Sequence, residues 1–531
     1  MTTMPASPLI EAPSLPLEHY PSISRFALDL VTGRGSAARW LERTPPDSWK
    51  PPAAPRRMNE LAGALAASNA GWGNDVEAEL DRWNRGETVT LVAGQQVGFG
   101  GGPLYTLAKI ASLLALRDKL AARGVASTIF FWMATEDSDF DEVATISLQT
   151  RGNDGLQTLR PLEHSGSPRR IVGDLAIPES LRRSFLEATQ FAESGWLSPS
   201  LTFGESFARL LAEALSGRGV VLVDSLLPQL RRQGAPLFRT LAERIDEAES
   251  LIAERSRALT RDGYQPQVER SPDGHYALLF AINEESEREP LRRDENGWMS
   301  GDRRLDERDV IGMIDESPER ISTAALARPL LQDFVFGPSV FVGGPAEVSY
   351  YAQLGPLHRM LRVEQPHVAL RGHALVAPAR FIRAVDKYGI DPAELAMTPE
   401  EVIARHDAEP VERMQRMVGS AASRMEEDLA AVRAAALAAD AGLERSIEKT
   451  MRKIRYHFEK LSQRSVLAVT RADAERYRAV QRACATLFPA GQPQDRVAAW
   501  VTWWHDYGTQ LVDRLVSDIE PDQPIVKIIP L

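Results

Sequence analysis

The stretch from Thr88 to Glu142 constrains this chain more than any other. Thr88–Ala93 is a short β-branched and apolar run with the length of a buried strand. The loop Gly94-Gln95-Gln96-Val97-Gly98-Phe99-Gly100-Gly101-Gly102 follows, and Pro103 stands where a first helical residue tolerates a missing N–H. From Leu104 the apolar residues take helical spacing (Leu107, Ile110, Leu113, Leu114, Leu120), Gly124 ends the helix, and Thr128–Ala134 reads as a second buried strand. Strand, helix and strand at this length predict a right-handed parallel βαβ crossover. Two features of the unit point to chemistry. A glycine loop entering a helix offers N–H donors and a partial positive charge to an anion, although neither the Walker pattern nor the usual dinucleotide fingerprint is present. The same loop also reads as a plain turn. Five carboxylates (Glu136, Asp137, Asp139, Asp141, Glu142) then crowd seven residues and would repel one another unless Mg²⁺, a substrate ammonium, or nearby Lys and Arg offset them. A calcium loop is excluded, because Glu142 stands where it needs Gly and Leu148 where it needs Glu. The plain alternative is a solvated loop with an N-capping Asp. Both features fall at carboxyl ends of strands, where open α/β sheets place their ligand crevice.

Further short apolar runs at 220–223, 339–342 and 367–370 bring the strands to five, with 88–93 and 128–134, as a doubly wound parallel sheet needs. Asp224 closes the third, as a rim carboxylate or a turn cap. Gly343-Gly344-Pro345-Ala346-Glu347 repeats the arrangement at Gly101-Gly102-Pro103, strand then Gly-Gly-Pro then helix. Two such helix starts facing one crevice would suit a polyanionic or multiply hydroxylated ligand. Residues 143–200 and 264–310 read as insertions, the second β-rich with a turn at Asp294-Glu295-Asn296-Gly297. From Val411 a heptad runs through Met414, Val418, Ala421, Met425, Leu429, Val432 and Ala436. It breaks at Asp440-Ala441-Gly442 and resumes at Leu443, Ile447, Met451, Ile454, Phe458 and Leu461. That predicts an antiparallel helical hairpin, paired with a second subunit or packed on its own chain. The expected division is a core over 1–400, a hairpin over 401–485, and a segment over 486–531 that returns to the core.

The 531 residues carry a formal net charge of −11, which argues against a general nucleic-acid binder. One cysteine, Cys484, excludes an internal disulfide and the common zinc motifs and fits a reducing compartment. The start lacks a secretory pattern, and no run reaches the roughly 20 apolar residues of a membrane span. A cytoplasmic protein is expected. His358, His367 and His373 lie close in sequence without metal-pair spacing, one of them a candidate for the pocket rim.

Gly94-Gln95-Gln96, Gly102-Pro103-Leu104-Tyr105-Thr106 with Lys109, Trp132, and Glu136-Asp137-x-Asp139-Phe140-Asp141-Glu142 resemble the BshC family, the cysteine ligases of bacillithiol biosynthesis. The resemblance continues through Gly219–Asp224 with Pro228, Arg328-Pro329-x-x-Gln332-Asp333, Gly343–Glu347 with Tyr350, and Phe488-Pro489-x-Gly491 before Gln494-Asp495-Arg496. Ser138 replaces the family's usual histidine and Ala93 a usual threonine. The resemblance implies a Rossmann-like core with inserted connecting segments and a dimerising coiled coil. It also implies that cysteine is joined to the amine of glucosaminyl-malate, with ATP or another activated nucleotide donor, and Mg²⁺, left open. Carried onto this chain, the catalytic candidates are Glu136, Asp137, Asp139 and Lys109. The binding candidates are Gly94, Gln95, Gln96, Gly102, Pro103, Tyr105, Asp224, Arg328, Gln332, Asp333, Gly343, Gly344, Glu347, Tyr350 and Arg371. The two glycine turns would hold phosphate or malate oxygens, Lys109 or Arg371 would add positive charge, and Glu136, Asp137 and Asp139 would receive the amine or sugar hydroxyls. A nucleotidyl transferase of the same fold and a non-catalytic dimeric scaffold are the competing readings.

Overall fold

The computed structural model describes residues 12–21, 23–42, 49–52, 56, 58–149, 155–161, 169–191, 194–271, 274–276 and 278–531. Most of the proline-rich start, Pro45, Pro46, Pro55 and parts of the 143–200 insertion lie outside them. One compact unit comprises Met1–Arg151, Leu156–Val376 and Pro493–Leu531, and the other is Ala377–Gln492 with Gly152–Gly155.

The first unit is built on five parallel strands, β1 (Val89–Gln95), β2 (Ser127–Met133), β3 (Val220–Asp224), β4 (Val340–Gly343) and β5 (His367–Leu370). Their order in the sheet is β5-β4-β1-β2-β3, and every adjacent pair is parallel. This is the Rossmann order, with its switch point between β1 and β4. The strands are apolar almost throughout because both faces are covered. On one face Ile129, Phe131 and Met133 join Leu107, Ile110 and Leu114 of α1 (Tyr105–Ala121) in the main core. On the other, Phe130 meets Trp83 at 5.1 Å and Phe336 at 4.5 Å between ring centroids. Three more helices position the site: α2 (Pro228–Glu243), α3 (Ala327–Phe336) and α4 (Pro345–Leu361).

The insertion after α2 carries a five-stranded antiparallel sheet in which Leu279–Ile282 pairs with both Arg288–Asp294 and Ile321–Thr323. The expected turn is present, Asp294 pairing with Gly297. The earlier insertion contributes a hairpin of Ile146–Gln149 and Leu156–Leu159. The C-terminal segment does return: Ile525–Pro530 pairs antiparallel with Ser14–Pro16.

Pro103 departs from its expected place. Helix α1 begins at Tyr105, and Pro103 instead forms an isolated bridge with Ala499. The glycine loop is clasped by the segment Ala498–Trp500. Leu104 N donates to Ala498 O at 2.9 Å, and Trp500 Nε1 donates to Gly101 O at 2.8 Å. Gly101 has φ +83°, and a Cβ there would sit 2.3 Å from Trp500 Nε1. Gly101→Ala is therefore expected to destabilise this unit by about 2–3 kcal/mol in urea unfolding. Gly124→Ala, with φ +75° and nothing within 4 Å of its Cβ, costs about 1 kcal/mol.

In the second unit the heptad forms two helices, α5 (Ala408–Ala439) and α6 (Glu444–Thr470), joined at Ala441–Leu443. At 32 residues α5 is about 48 Å long. Met414, Val418, Met425 and Leu429 are half-buried against α6, whose Ile447, Met451, Ile454 and Phe458 are half-buried in turn. Arg433 reaches Glu444 and Glu448, at 3.7 and 3.9 Å. Cys484 is a buried free thiol in this unit, pushed up to about 12 by burial. No described helix is long and apolar enough to cross a membrane.

Candidate functional site

A cleft of about 430 Å³ opens at the carboxyl ends of the strands, at the switch point. Gly94 and Gln95 come from β1, Glu136 and Asp137 from the segment after β2, Gly344 and Glu347 from the start of α4, and Arg371 from the end of β5. The antiparallel insertion adds Phe280, Arg288 and Thr323, α3 adds Arg328, and the C-terminal segment adds Arg496. Five cations (Lys109, Arg288, Arg328, Arg371, Arg496) face three carboxylates (Glu136, Asp137, Glu347), so the cleft favours an anionic ligand.

Each charge is differently committed. Lys109 Nζ donates to Gly94 O at 2.8 Å and Gln95 Oε1 at 2.9 Å, and pairs with Glu347 Oε2 at 2.5 Å. All three of its N–H bonds are used, tying β1 to α4 across the switch point. Burial pulls the Lys109 ammonium below its ordinary value, against the opposing pull of Glu347. Glu347 also accepts from Gly344 N at 2.7 Å, satisfying the N-cap N–H at the start of α4. Arg371 is held by Asp495 at 2.8 Å, whose other oxygen accepts from Tyr20 Oη at 2.7 Å.

Two guanidinium groups are less committed. Arg328 donates to Tyr350 Oη and stands 4.0 Å from Glu347 Oε1. Arg288 donates to Thr323 O at 2.7 Å and lies over the Phe280 ring at 4.2 Å, its Nε buried without a protein partner. On the acidic side, Gln96 Nε2 donates to Asp137 Oδ2 and to Glu142 Oε2, both at 2.8 Å. Tyr105, pushed up to about 12 by burial, accepts from Gln95 Nε2 at 3.3 Å.

The expected site residues do not all meet here. Gly94, Gln95, Gln96, Tyr105, Lys109, Glu136, Asp137, Arg328, Gly344, Glu347, Tyr350 and Arg371 line the cleft. Glu136 does so with its carboxylate largely engaged: Oε2 accepts from Arg231 Nη2, Ser322 Oγ at 2.8 Å and Thr323 N at 3.1 Å, and Oε1 from Thr323 Oγ1 at 3.2 Å. Asp139 is exposed and caps Phe140–Ala144 by accepting from Glu142 N at 3.0 Å. Asp224 is a turn cap away from the cleft, accepting from Leu226 N at 2.9 Å and from Thr135 Oγ1. Gln332 and Asp333 lie in the interior, where Asp333 pairs with His358 at 2.9 Å. Gly343 does not line the cleft; it is crowded by Phe341 and Glu347, which a Cβ would meet at 2.7 and 2.9 Å. Gly102 and Pro103 border a separate, smaller cavity.

Several N–H groups of the two glycine turns, expected from their spacing to face an anion, are bonded within the chain. Gly98 N, Gly101 N and Leu104 N are bonded to Gln96 O, Gly98 O and Ala498 O, and Gly344 N to Glu347. The histidines are elsewhere as well: His358 serves Asp333, His367 serves Asp522 at 3.3 Å, and buried His373 packs on Tyr20. Arg288, Thr323 and Arg496 were not anticipated. The only local signal for Arg496 is its place in Gln494-Asp495-Arg496, and nothing local marks Arg288.

Comparison with known proteins agrees with this architecture. Residues 47–372 match the model of the N-terminal Rossmann-like domain of bacillithiol biosynthesis BshC, and residues 374–531 match that of its C-terminal coiled-coil domain. A protein of Solibacter usitatus named "Putative cysteine ligase BshC" is 28% identical over 88% of this chain and 88% of its own length. Proteins of the same name from Koribacter versatilis (28% identical, 87% of this chain, 88% of its own) and Bacillus cytotoxicus (26%, 83% and 84%) are similar along the same span. With matches to both domains covering most of its length, and the parallel core and helical hairpin both present, the chain belongs to the BshC family of bacillithiol biosynthesis.

Proposed function

We propose that this chain is a cysteine ligase that joins the carboxyl group of cysteine to the amine of glucosaminyl-malate. The observation that carries the reading is the cation-rich cleft at the switch point, which sets acidic acceptors beside uncommitted guanidinium donors. Arg288, Arg328 and Arg496 suit the two malate carboxylates. Half-buried Asp137, its Oδ2 held by Gln96 and its Oδ1 by Ser138 N at 2.7 Å, is the acceptor for the sugar ammonium and its departing proton. In the reaction the sugar nitrogen bonds to the cysteine carbonyl carbon, one carboxyl oxygen leaves with its activating group, and the amine proton passes to a base. Lys109 and Glu136 are positioning residues on this reading, since the three donors of Lys109 are used within the protein and Glu136 Oε2 accepts three bonds from it.

Activation of a free carboxylate requires a donor of the nucleoside triphosphate class or an equivalent. In the glycine turns the N–H groups of Gly98, Gly101 and Gly344 are bonded within the chain and are not free for a phosphate. Among the described residues no group of three or more His, Cys, Asp or Glu side chains is placed to hold a metal ion. Incubation with glucosaminyl-malate, cysteine and ATP is expected to give the thiol product by mass detection. Pyrophosphate release without that product would instead indicate a nucleotidyl transferase. A product whose thiol must stay reduced, and an unpaired Cys484, both suit the cytoplasm.

The hairpin is proposed to pair with a second copy of itself. It leaves Met417 and Val432 each 62% exposed, Tyr456 54% and Leu461 51%, more apolar surface than a solitary hairpin keeps in water. Val432→Glu with Leu461→Glu is expected to convert a dimer to a monomer in light scattering, with the melting of the first unit unchanged.

A further inference from the structure

The cleft has a smaller neighbour. A cavity of about 60 Å³ shares Gln95, Gln96 and Tyr105 with it, and its apolar wall is made by Phe99, Pro103, Val143, Ile146, Val497 and Ala499. Gly98 and Gly102 also border it, and a Cβ on Gly98 would lie 3.1 Å from Gly102 Cα, so the loop is packed on itself with little room to yield. The clasp by Ala498 and Trp500 holds this wall in place. Of the bordering hydroxyls, Ser147 is bonded to Thr158 at 2.9 Å. Glu142 is the one carboxylate in the lining. The Gln96 amide that holds it also holds Asp137 in the cleft, so the two acids flank the junction of the two spaces.

The size bounds the occupant. A water needs about 10–15 Å³ of such volume, so this space admits roughly four to six water-sized groups, the bulk of a small amino acid. Its walls select further. A hydroxyl set against the apolar wall, away from Thr145, Ser147 and Tyr105, forfeits its hydrogen bonds with water, whereas a thiol there behaves as a small hydrophobe with a weak donor. We infer that the side cavity is the subsite for the amino-acid substrate, taking a short thiol side chain against Phe99, Val143 and Ile146, with the ammonium on Glu142 and the carboxyl group turned past Tyr105 into the cleft. The inference rests on the ligase reading for the identity of that amino acid, cysteine. It gives the glycine loop the role of sizing a side-chain pocket, in place of cradling a phosphate.

The test is calorimetric titration of cysteine, serine and homocysteine into the full chain, with and without saturating glucosaminyl-malate, in parallel with turnover. Wild type is expected to bind cysteine at least tenfold more tightly than serine. Ala499→Leu, which fills the cavity, is expected to weaken cysteine at least thirtyfold and leave glucosaminyl-malate within twofold. Val497→Ala, which enlarges it, is expected to shift selectivity toward homocysteine at least tenfold, and it decides the matter alone should Ala499→Leu not fold. Cysteine affinity unchanged in Ala499→Leu, equal loss of both substrates, or no cysteine binding by wild type overturns the inference. Cysteine binding that Ala499→Leu abolishes, without any thiol product from wild type, would sustain the subsite and remove the ligase reading. Full turnover by Ala499→Leu would do the reverse.

Discussion

Glu136→Ala is expected to unfold the first unit more easily by about 3–5 kcal/mol, the usual cost of removing one partner from a buried ion pair. Arg231 is fully buried and would keep its charge with only Ile321 O, at 3.0 Å, as a hydrogen-bond partner. Ser322 Oγ and Thr323 N would lose their acceptor too, loosening the junction between β2 and the antiparallel insertion. Denaturant unfolding measures the loss directly, and a variant as stable as wild type would show that this network holds nothing together. The pH dependence has a definite sign. Burial pushes the Glu136 carboxyl up, but Arg231, Arg288 and the hydrogen bonds outweigh it and hold the group below its ordinary value of 4.5. A carboxyl lowered in the folded state contributes stability that is complete above the unfolded value and is lost as pH falls through the folded one. Wild type should therefore lose stability below about pH 4.5 more steeply than Glu136→Gln, with the two curves converging in acid.

Arg328→Gln is expected to lower kcat/KM for glucosaminyl-malate by about 10²-fold, roughly 3 kcal/mol, the scale of removing one side of a desolvated charge pair. Among the described residues its only hydrogen bond is to Tyr350, so its other donors remain for a ligand anion. The loss should fall mainly on KM, because the group binds substrate and transition state alike. Arg328→Lys should recover the charge but only part of the affinity, since an ammonium lacks the planar fork. Stability should fall as well, because burial opposes the Arg328 charge but Tyr350 and Glu347 outweigh it and favour the charged form. A wild-type KM in Arg328→Gln would place the malate group elsewhere.

Much of the architecture was legible because its signals are local. The five strands announce themselves as apolar runs too short for helices, and each is found within about two residues of its expected place. The heptad predicts the hairpin with its break at Gly442, since a seam every three or four residues has no other way to be buried. The expected residues that line the cleft sit at strand ends, as do Gly94, Asp137, Gly344 and Arg371, or on the helices beside them, as do Lys109, Arg328 and Glu347. In the glycine loop Gly98 N and Gly101 N are bonded locally, to Gln96 O and Gly98 O, whereas the partner of Leu104 N, Ala498 O, lies almost 400 residues away and leaves no local signal. The engagement of Glu136 within the protein was not legible for the same kind of reason, its cation lying on α2 and its hydroxyl donors on the inserted sheet.

By itself the sequence determined the element types, the number of parallel strands, the helical hairpin and the family motifs, because periodicity and turn chemistry act within a dozen residues. Tertiary structure alone decided the strand order β5-β4-β1-β2-β3, which sets the ends of β1 and β4 side by side. It also decided which charges are consumed in the interior and which are left for a ligand. A carboxylate or a guanidinium looks the same in a sequence whether its lone pairs and donors are spent or free, and only the packing of distant segments makes that distinction.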